Sequence, residues 1–117
     1  MKKILIVDDE PNIVMTLEYT FKKSNYEVFI ARDGQEALDI LKTNFPDVII
    51  LDIMMPMVDG FATLEQIRKD ANLQHTKVMF LSAKNKESDI EKGLALGADA
   101  YMTKPFSIKK VVEKVEE

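Results

Sequence analysis

Pro46-Asp47-Val48-Ile49-Ile50-Leu51-Asp52 is the stretch on which the fold turns. Its uninterrupted apolar run suits a strand covered on both faces, as in a parallel sheet. Ile4-Leu5-Ile6-Val7 and Val78-Met79-Phe80-Leu81 have the same form. Tyr26-Glu27-Val28-Phe29-Ile30 is more mixed and Asp99-Ala100-Tyr101-Met102 is shorter, so these two are expected at or near the sheet edges.

Between the runs lie segments with helical spacing. Pro11 suits a first helical turn, and Ile13, Leu17 and Phe21 then recur four residues apart. Ala37, Leu38 and Leu41 mark a second helix, and Phe61, Leu64 and Ile67 a third. Ile90 and Leu94 are expected to anchor a fourth, stopped by Gly97. Ile108, Val111, Val112 and Val115 follow the i, i+3, i+4, i+7 pattern of a fifth. Five strand-then-helix repeats with right-handed crossovers predict a three-layer α/β sandwich. With no linker, low-complexity tract or repeat, one domain over 1–117 is enough.

Composition narrows the function. At 117 residues, 46% hydrophobic and 31% charged, the chain has the make-up of a soluble globular domain. A net charge of −4 gives no reason to expect nucleic acid as a direct ligand. The absence of cysteine excludes disulfides, thiol chemistry and zinc-thiolate sites. The apolar runs fall far short of the roughly 20 residues a membrane span needs, and Asp8-Asp9-Glu10 interrupts the first too early for a secretory signal. A cytoplasmic location is expected.

In an open α/β sheet, ligands bind beyond the carboxyl ends of the strands. Asp8, Asp9 and Glu10 follow the first run, Asp52 the third, Ser82 the fourth and Lys104 the fifth. Singly, these are ordinary caps and solvated charges. Together they place acids, a hydroxyl and a lysine at one end of the sheet. Clustered carboxylates repel unless a cation intervenes, and Mg²⁺ takes hard oxygen ligands of this kind. A carboxylate can be the nucleophile in phosphoryl transfer, with Lys104 and Ser82 holding the phosphoryl oxygens as charge develops.

Ile6-Val7-Asp8-Asp9-Glu10-Pro11, Pro46 to Gly60, Leu81-Ser82-Ala83-Lys84, Gly97-Ala98-Asp99-Ala100-Tyr101 and Thr103-Lys104-Pro105-Phe106 resemble, in order and spacing, the receiver domain of two-component response regulators. The resemblance covers nearly the whole chain. It implies a flavodoxin-like fold with strand order 2-1-3-4-5, and Asp52 as phosphoacceptor. It further implies Mg²⁺ held by Asp9 directly, by Asp8 through water, by Asp52 and by the Met54 carbonyl. Ser82 and Lys104 would bind the phosphoryl group, Ser82 and Tyr101 would be switch residues, and a cis peptide would precede Pro105. Ser82 stands where threonine is frequent, and keeps the hydroxyl.

Rival readings fit less well. A flavodoxin-type FMN carrier needs a phosphate-cradling loop where Asp8-Asp9-Glu10 stands. Haloacid-dehalogenase-type phosphatases place a second Asp two residues after the nucleophile, where this chain has Met54. No Walker-type or dinucleotide loop is present. A receiver-like interaction module that signals without phosphate should have lost an acid, the hydroxyl or the lysine. His75 reads as a solvated turn residue.

The resemblance implies a histidine kinase or histidine phosphotransfer protein as partner, docked on the first helix along Asn12, Ile13, Thr16 and Thr20. Met54 and Lys84, each two residues past a site residue, are expected to border the path of the hydrolytic water and so set phosphoryl lifetime. Output is expected on the face of the fourth helix, fifth strand and fifth helix, with Tyr101 turning inward as Ser82 moves. Gly93 weakens that helix by about 1 kcal/mol relative to Ala. Charges of both signs there suit a partner or a homodimer. Lys110 replaces the acid expected at that dimer face in winged-helix regulators. Either a single-domain regulator or a receiver cut from a longer protein is expected.

Overall fold

The computed structural model describes residues 1–117. Five strands alternate with five helices: β1 (Lys3–Val7), α1 (Pro11–Lys23), β2 (Glu27–Ala31), α2 (Gly34–Ile40), β3 (Val48–Leu51), α3 (Gly60–Lys69), β4 (Lys77–Ser82), α4 (Glu87–Ala95), β5 (Ala100–Thr103) and α5 (Ile108–Glu116). A 3₁₀ turn at Ala71–Leu73, not expected from the sequence, joins α3 to β4. All pairings are parallel, in the order β2-β1-β3-β4-β5. Val7 is level with Leu51, Leu51 with Phe80, and Leu81 with Met102, so the carboxyl ends of the four strands on which the site is built finish together. No helix is long and apolar enough to cross a membrane.

The continuous apolar runs are explained by two cores. Successive strand side chains point to opposite faces. Leu5, Val7, Ile49, Leu51, Val78 and Phe80 therefore pack with Ala37, Phe61, Leu64 and Ile67 of α2 and α3. Ile4, Ile6, Val48, Ile50, Met79 and Leu81 pack with Leu17 and Phe21 of α1 and Val111 and Val115 of α5. Side-chain oxygens of Asp33, Asp59 and Ser107 cap α2, α3 and α5.

One expectation needs correction. Leu94 does not anchor α4: it is 46% exposed, and Ile90 is only half-buried. The buried residue of that helix is Gly93, where an added Cβ would stand 3.0 Å from the Phe80 ring and 3.1 Å from that of Tyr101. Close backbone approach, rather than weak helix propensity, is the use of this glycine.

Arg68 clasps the side of the sheet away from the site. Its Nε donates to the Gly97 carbonyl at 3.0 Å, and Nη1 donates to the carbonyls of Thr76 and Leu73 at 2.9 and 3.3 Å. Nη2 meets Asp99 at 3.1 Å, whose Oδ2 also accepts from the Val78 N–H at 2.8 Å. Arg68→Ala should destabilise by about 2 kcal/mol, because it strands carbonyls that a charged donor had satisfied. Arg68→Lys should recover little of this, since an ammonium lacks the planar fork. Urea denaturation checks both, and full recovery by lysine would show that charge alone matters.

Candidate active site at the carboxyl ends of the strands

β1 delivers Asp8 and β3 delivers Asp52 into the interior, where they are 2% and 3% exposed. Asp8 Oδ1 accepts from the Glu10 N–H at 2.9 Å, and Asp52 Oδ1 accepts from the Ile53 N–H at 2.7 Å. The other oxygens turn to Lys104. Its ammonium lies 3.0 Å from Asp8 Oδ2, 2.9 Å from Glu10 Oε1 and 3.5 Å from Asp52 Oδ2. The Lys104–Pro105 peptide is cis.

The electrostatics follow from burial. Desolvation pushes the Asp8 and Asp52 carboxyls above the ordinary aspartate value, against the pull of Lys104 and neighbouring N–H groups. For Lys104 burial acts to lower the pKa, but hydrogen bonds to Glu10 and Asp8 and the charge of Asp52 hold it above the usual lysine value.

Carboxylate oxygens of Asp8, Glu10 and Asp52 lie within 4.8 Å of one another. With only Lys104 bridging all three, the cluster remains short of positive charge. Hard oxygen donors in an electron-rich pocket are what a small divalent cation takes, so these residues fit a metal site. Asp9 stands outside that trio. It is exposed and lines a groove of about 640 Å³ with Met54, Asp59, Lys84, Asp89 and Lys92.

Ser82 is fully buried, and its Oγ accepts from the Lys84 N–H at 3.2 Å. Tyr101 donates its hydroxyl to the Lys84 carbonyl at 2.6 Å and leans on Phe80, with ring centroids 5.7 Å apart. Its ring is already half-buried here. On α1, Asn12 and Thr16 are exposed while Ile13 and Thr20 are half-buried. The Thr16 and Thr20 hydroxyls donate to carbonyls of their own helix at 2.9 and 2.8 Å. Ile13 shares a groove of about 500 Å³ with Glu10, Ala83, Lys104, Pro105 and Phe106.

The model of the response regulator receiver domain matches residues 4–116. The chain belongs to that family. The receiver is 46% identical over 115 residues to the alkaline phosphatase synthesis transcriptional regulatory protein PhoP of Bacillus subtilis, covering 98% of this chain and 47% of that protein. It thus spans about half the length of that relative. Among solved structures, the Francisella response regulator 1452 receiver domain superposes with a TM-score of 0.91 at 38% identity, covering 99% of this chain and 94% of the other. The chemotaxis protein CheY4 of Vibrio cholerae gives 0.93 at 31% identity, covering 99% and 97%. The five-stranded order and five helices are those of the CheY-like, flavodoxin-like fold.

Glu10 is the residue the sequence argument undervalued. It stood beside the paired acids as the residue before Pro11, but nothing in the spacing tells that its carboxylate turns back to Lys104, 94 positions away. Exposed Met15 and Tyr19, each at 66%, likewise lie on α1 outside the expected docking stripe.

Proposed function

We propose that the receiver takes a phosphoryl group from a histidine kinase or histidine phosphotransfer protein onto the Asp52 carboxylate. The observation that carries the reading is the buried Asp52 oxygen turned toward Lys104 in the acid cluster. An Asp52 oxygen attacks phosphorus, the P–N bond of the phosphohistidine breaks, and the imidazole leaves with the electron pair. Lys104 and the Ser82 hydroxyl hold the phosphoryl oxygens.

Mg²⁺ would be held by Asp8, Asp9, Asp52 and the Met54 carbonyl, and when bound it offsets the charge of the phosphoryl oxygens. The receiver catalyses both its own phosphorylation and its own dephosphorylation. Met54 and Lys84 border the groove through which the hydrolytic water reaches the phosphoryl group. The partner docks on Asn12, Ile13, Thr16 and Thr20, beside the groove walled by Pro105 and Phe106. The location is cytoplasmic.

The switch runs through Lys84. Ser82 holds its N–H and Tyr101 its carbonyl, so Ser82 turning to a phosphoryl oxygen frees the segment on which Tyr101 rests. Tyr101 then re-seats against α4, and the α4-β5-α5 face carries the output, to a partner or a second copy. Because the relative PhoP is a transcriptional regulatory protein, that output includes control of transcription.

The decisive experiment labels the purified receiver with acetyl phosphate and Mg²⁺. One hydroxylamine-labile phosphoryl group is expected, mapped by mass spectrometry to the peptide containing Asp52 and absent from Asp52→Asn. Undiminished labile phosphate on the variant would refute the assignment.

A further inference from the structure

We propose that Glu10 selects among phosphoryl donors by their charge, slowing small acyl phosphates that arrive as dianions. The inference rests on the reading of Asp52 as phosphoacceptor. Glu10 stands at the rim of the site: its side chain is 56% exposed, against 3% for Asp8 and 4% for Asp52. Its carboxylate nevertheless lies within 4.8 Å of both. The ion pair with Lys104 at 2.9 Å fixes it there, and it also walls the groove with Ile13, Ala83, Pro105 and Phe106. A donor whose phosphorus reaches Asp52 therefore brings its oxygens within a few ångströms of Glu10.

Lys104 does not cancel that charge, because the same ammonium also serves Asp8 and Asp52. Asp52 is the nucleophile, and Asp8 is buried beside it. Glu10 is neither, and it is the acid on the open side. Each negative charge on an incoming donor thus meets a carboxylate that is neither the proposed nucleophile nor among the groups proposed to hold Mg²⁺. One additional unit charge at such a distance, partly screened by solvent, changes a rate by about threefold to tenfold.

Two small donors separate this charge effect from other consequences of the substitution. Acetyl phosphate reacts as a dianion: the Asp52 oxygen attacks phosphorus, the P–O bond to the acyl group breaks, and acetate leaves. Phosphoramidate carries a protonated nitrogen and one net negative charge; its P–N bond breaks and ammonia leaves. Initial labelling rates are measured with Mg²⁺ for the native receiver, Glu10→Gln and Glu10→Asp. Both donors read the same protein sample, so any loss of folded fraction, and any common gain from a freer Lys104, cancels in their ratio.

Glu10→Gln is expected to raise the acetyl phosphate rate about threefold to tenfold more than the phosphoramidate rate. Glu10→Asp should keep the native ratio. The difference should shrink in about 0.5 M salt, as an exposed charge requires. Equal factors for both donors, or a ratio indifferent to salt, would overturn the role of Glu10 while leaving Asp52 in place. Failure of both donors to label Asp52 of the native receiver would instead overturn the phosphoacceptor reading, and this inference with it.

Discussion

Lys104→Met is expected to destabilise the receiver by about 3 kcal/mol at pH 7 in the presence of a chelator, because removing one partner of a buried ion pair leaves the other charge uncompensated. Here the uncompensated charges belong to Asp8 and Asp52, with Glu10 at the rim. The pH dependence has a definite sign. The Lys104 pKa is raised above the ordinary lysine value, so the lysine remains charged throughout the neutral range, and any change in its contribution there comes from the acids it faces. Asp8 and Asp52 carry raised values through burial, and loss of Lys104 raises them further. In the variant the folded state therefore binds more protons than the unfolded state above the unfolded aspartate pKa of about 3.9. Its stability falls as pH rises through that window. The gap between native and variant should narrow from pH 7 to pH 5. It should narrow again when Mg²⁺ is added at pH 7, since a divalent cation neutralises the same carboxylates. Urea denaturation at the two pH values measures this. A gap of equal size at both would show that Lys104 contributes packing rather than charge.

The sheet was legible because parity and burial leave a plain mark. Ile4-Leu5-Ile6-Val7 must feed two cores at once, and only a continuous apolar run can do so. Pro11, Asp33, Asp59 and Ser107 stand at helix starts for local reasons. Boundaries moved by one residue where the edge strands meet solvent: β2 begins at Glu27 and β5 at Ala100, because Tyr26 packs into the α1 core and Asp99 turns to Arg68. The site was legible as a set of positions, since Asp8, Asp52 and Lys104 each follow a strand and Ser82 ends one. Its connections were not. That Lys104 would bridge three acids, and that Ser82 and Tyr101 would meet on Lys84, depends on side-chain directions that no spacing encodes. The fourth helix misled for a related reason. Helical periodicity assigns an apolar face to Ile90 and Leu94, whereas the surface it meets is made of Phe80 and Tyr101 rings, which admit only the bare backbone of Gly93.

Gly60→Ala should cost about 3 kcal/mol of stability, in the range of severe overpacking, and slow phosphoryl labelling of the folded molecule about a hundredfold. An alanine Cβ at this position would stand 2.2 Å from the Asp52 carbonyl oxygen and 2.7 Å from Ile53 Cα. Both are backbone atoms, so no rotamer change can relieve the contact, and the chains must part by roughly 1 Å to regain ordinary separation. The movement has few outlets. The Gly60 N–H donates to the Ile53 carbonyl at 3.0 Å, and Asp59 caps α3 through the Ala62 N–H at 2.8 Å. On the other flank, Gly34 admits the Val58 carbonyl, which would lie 2.4 Å from a Cβ there. The segment from Asp52 to Gly60 is thus held at both sides by glycines, and a push at Gly60 is transmitted to Asp52, the proposed nucleophile. A misplacement of about 1 Å at a reacting centre can cost about a hundredfold in rate. Stability is read by urea denaturation, and labelling by acetyl phosphate with Mg²⁺ under conditions where the variant remains folded. A variant that loses stability but labels within about threefold of the native rate per folded molecule would show that the loop yields elsewhere. The position of Asp52 would then be set by β3 alone.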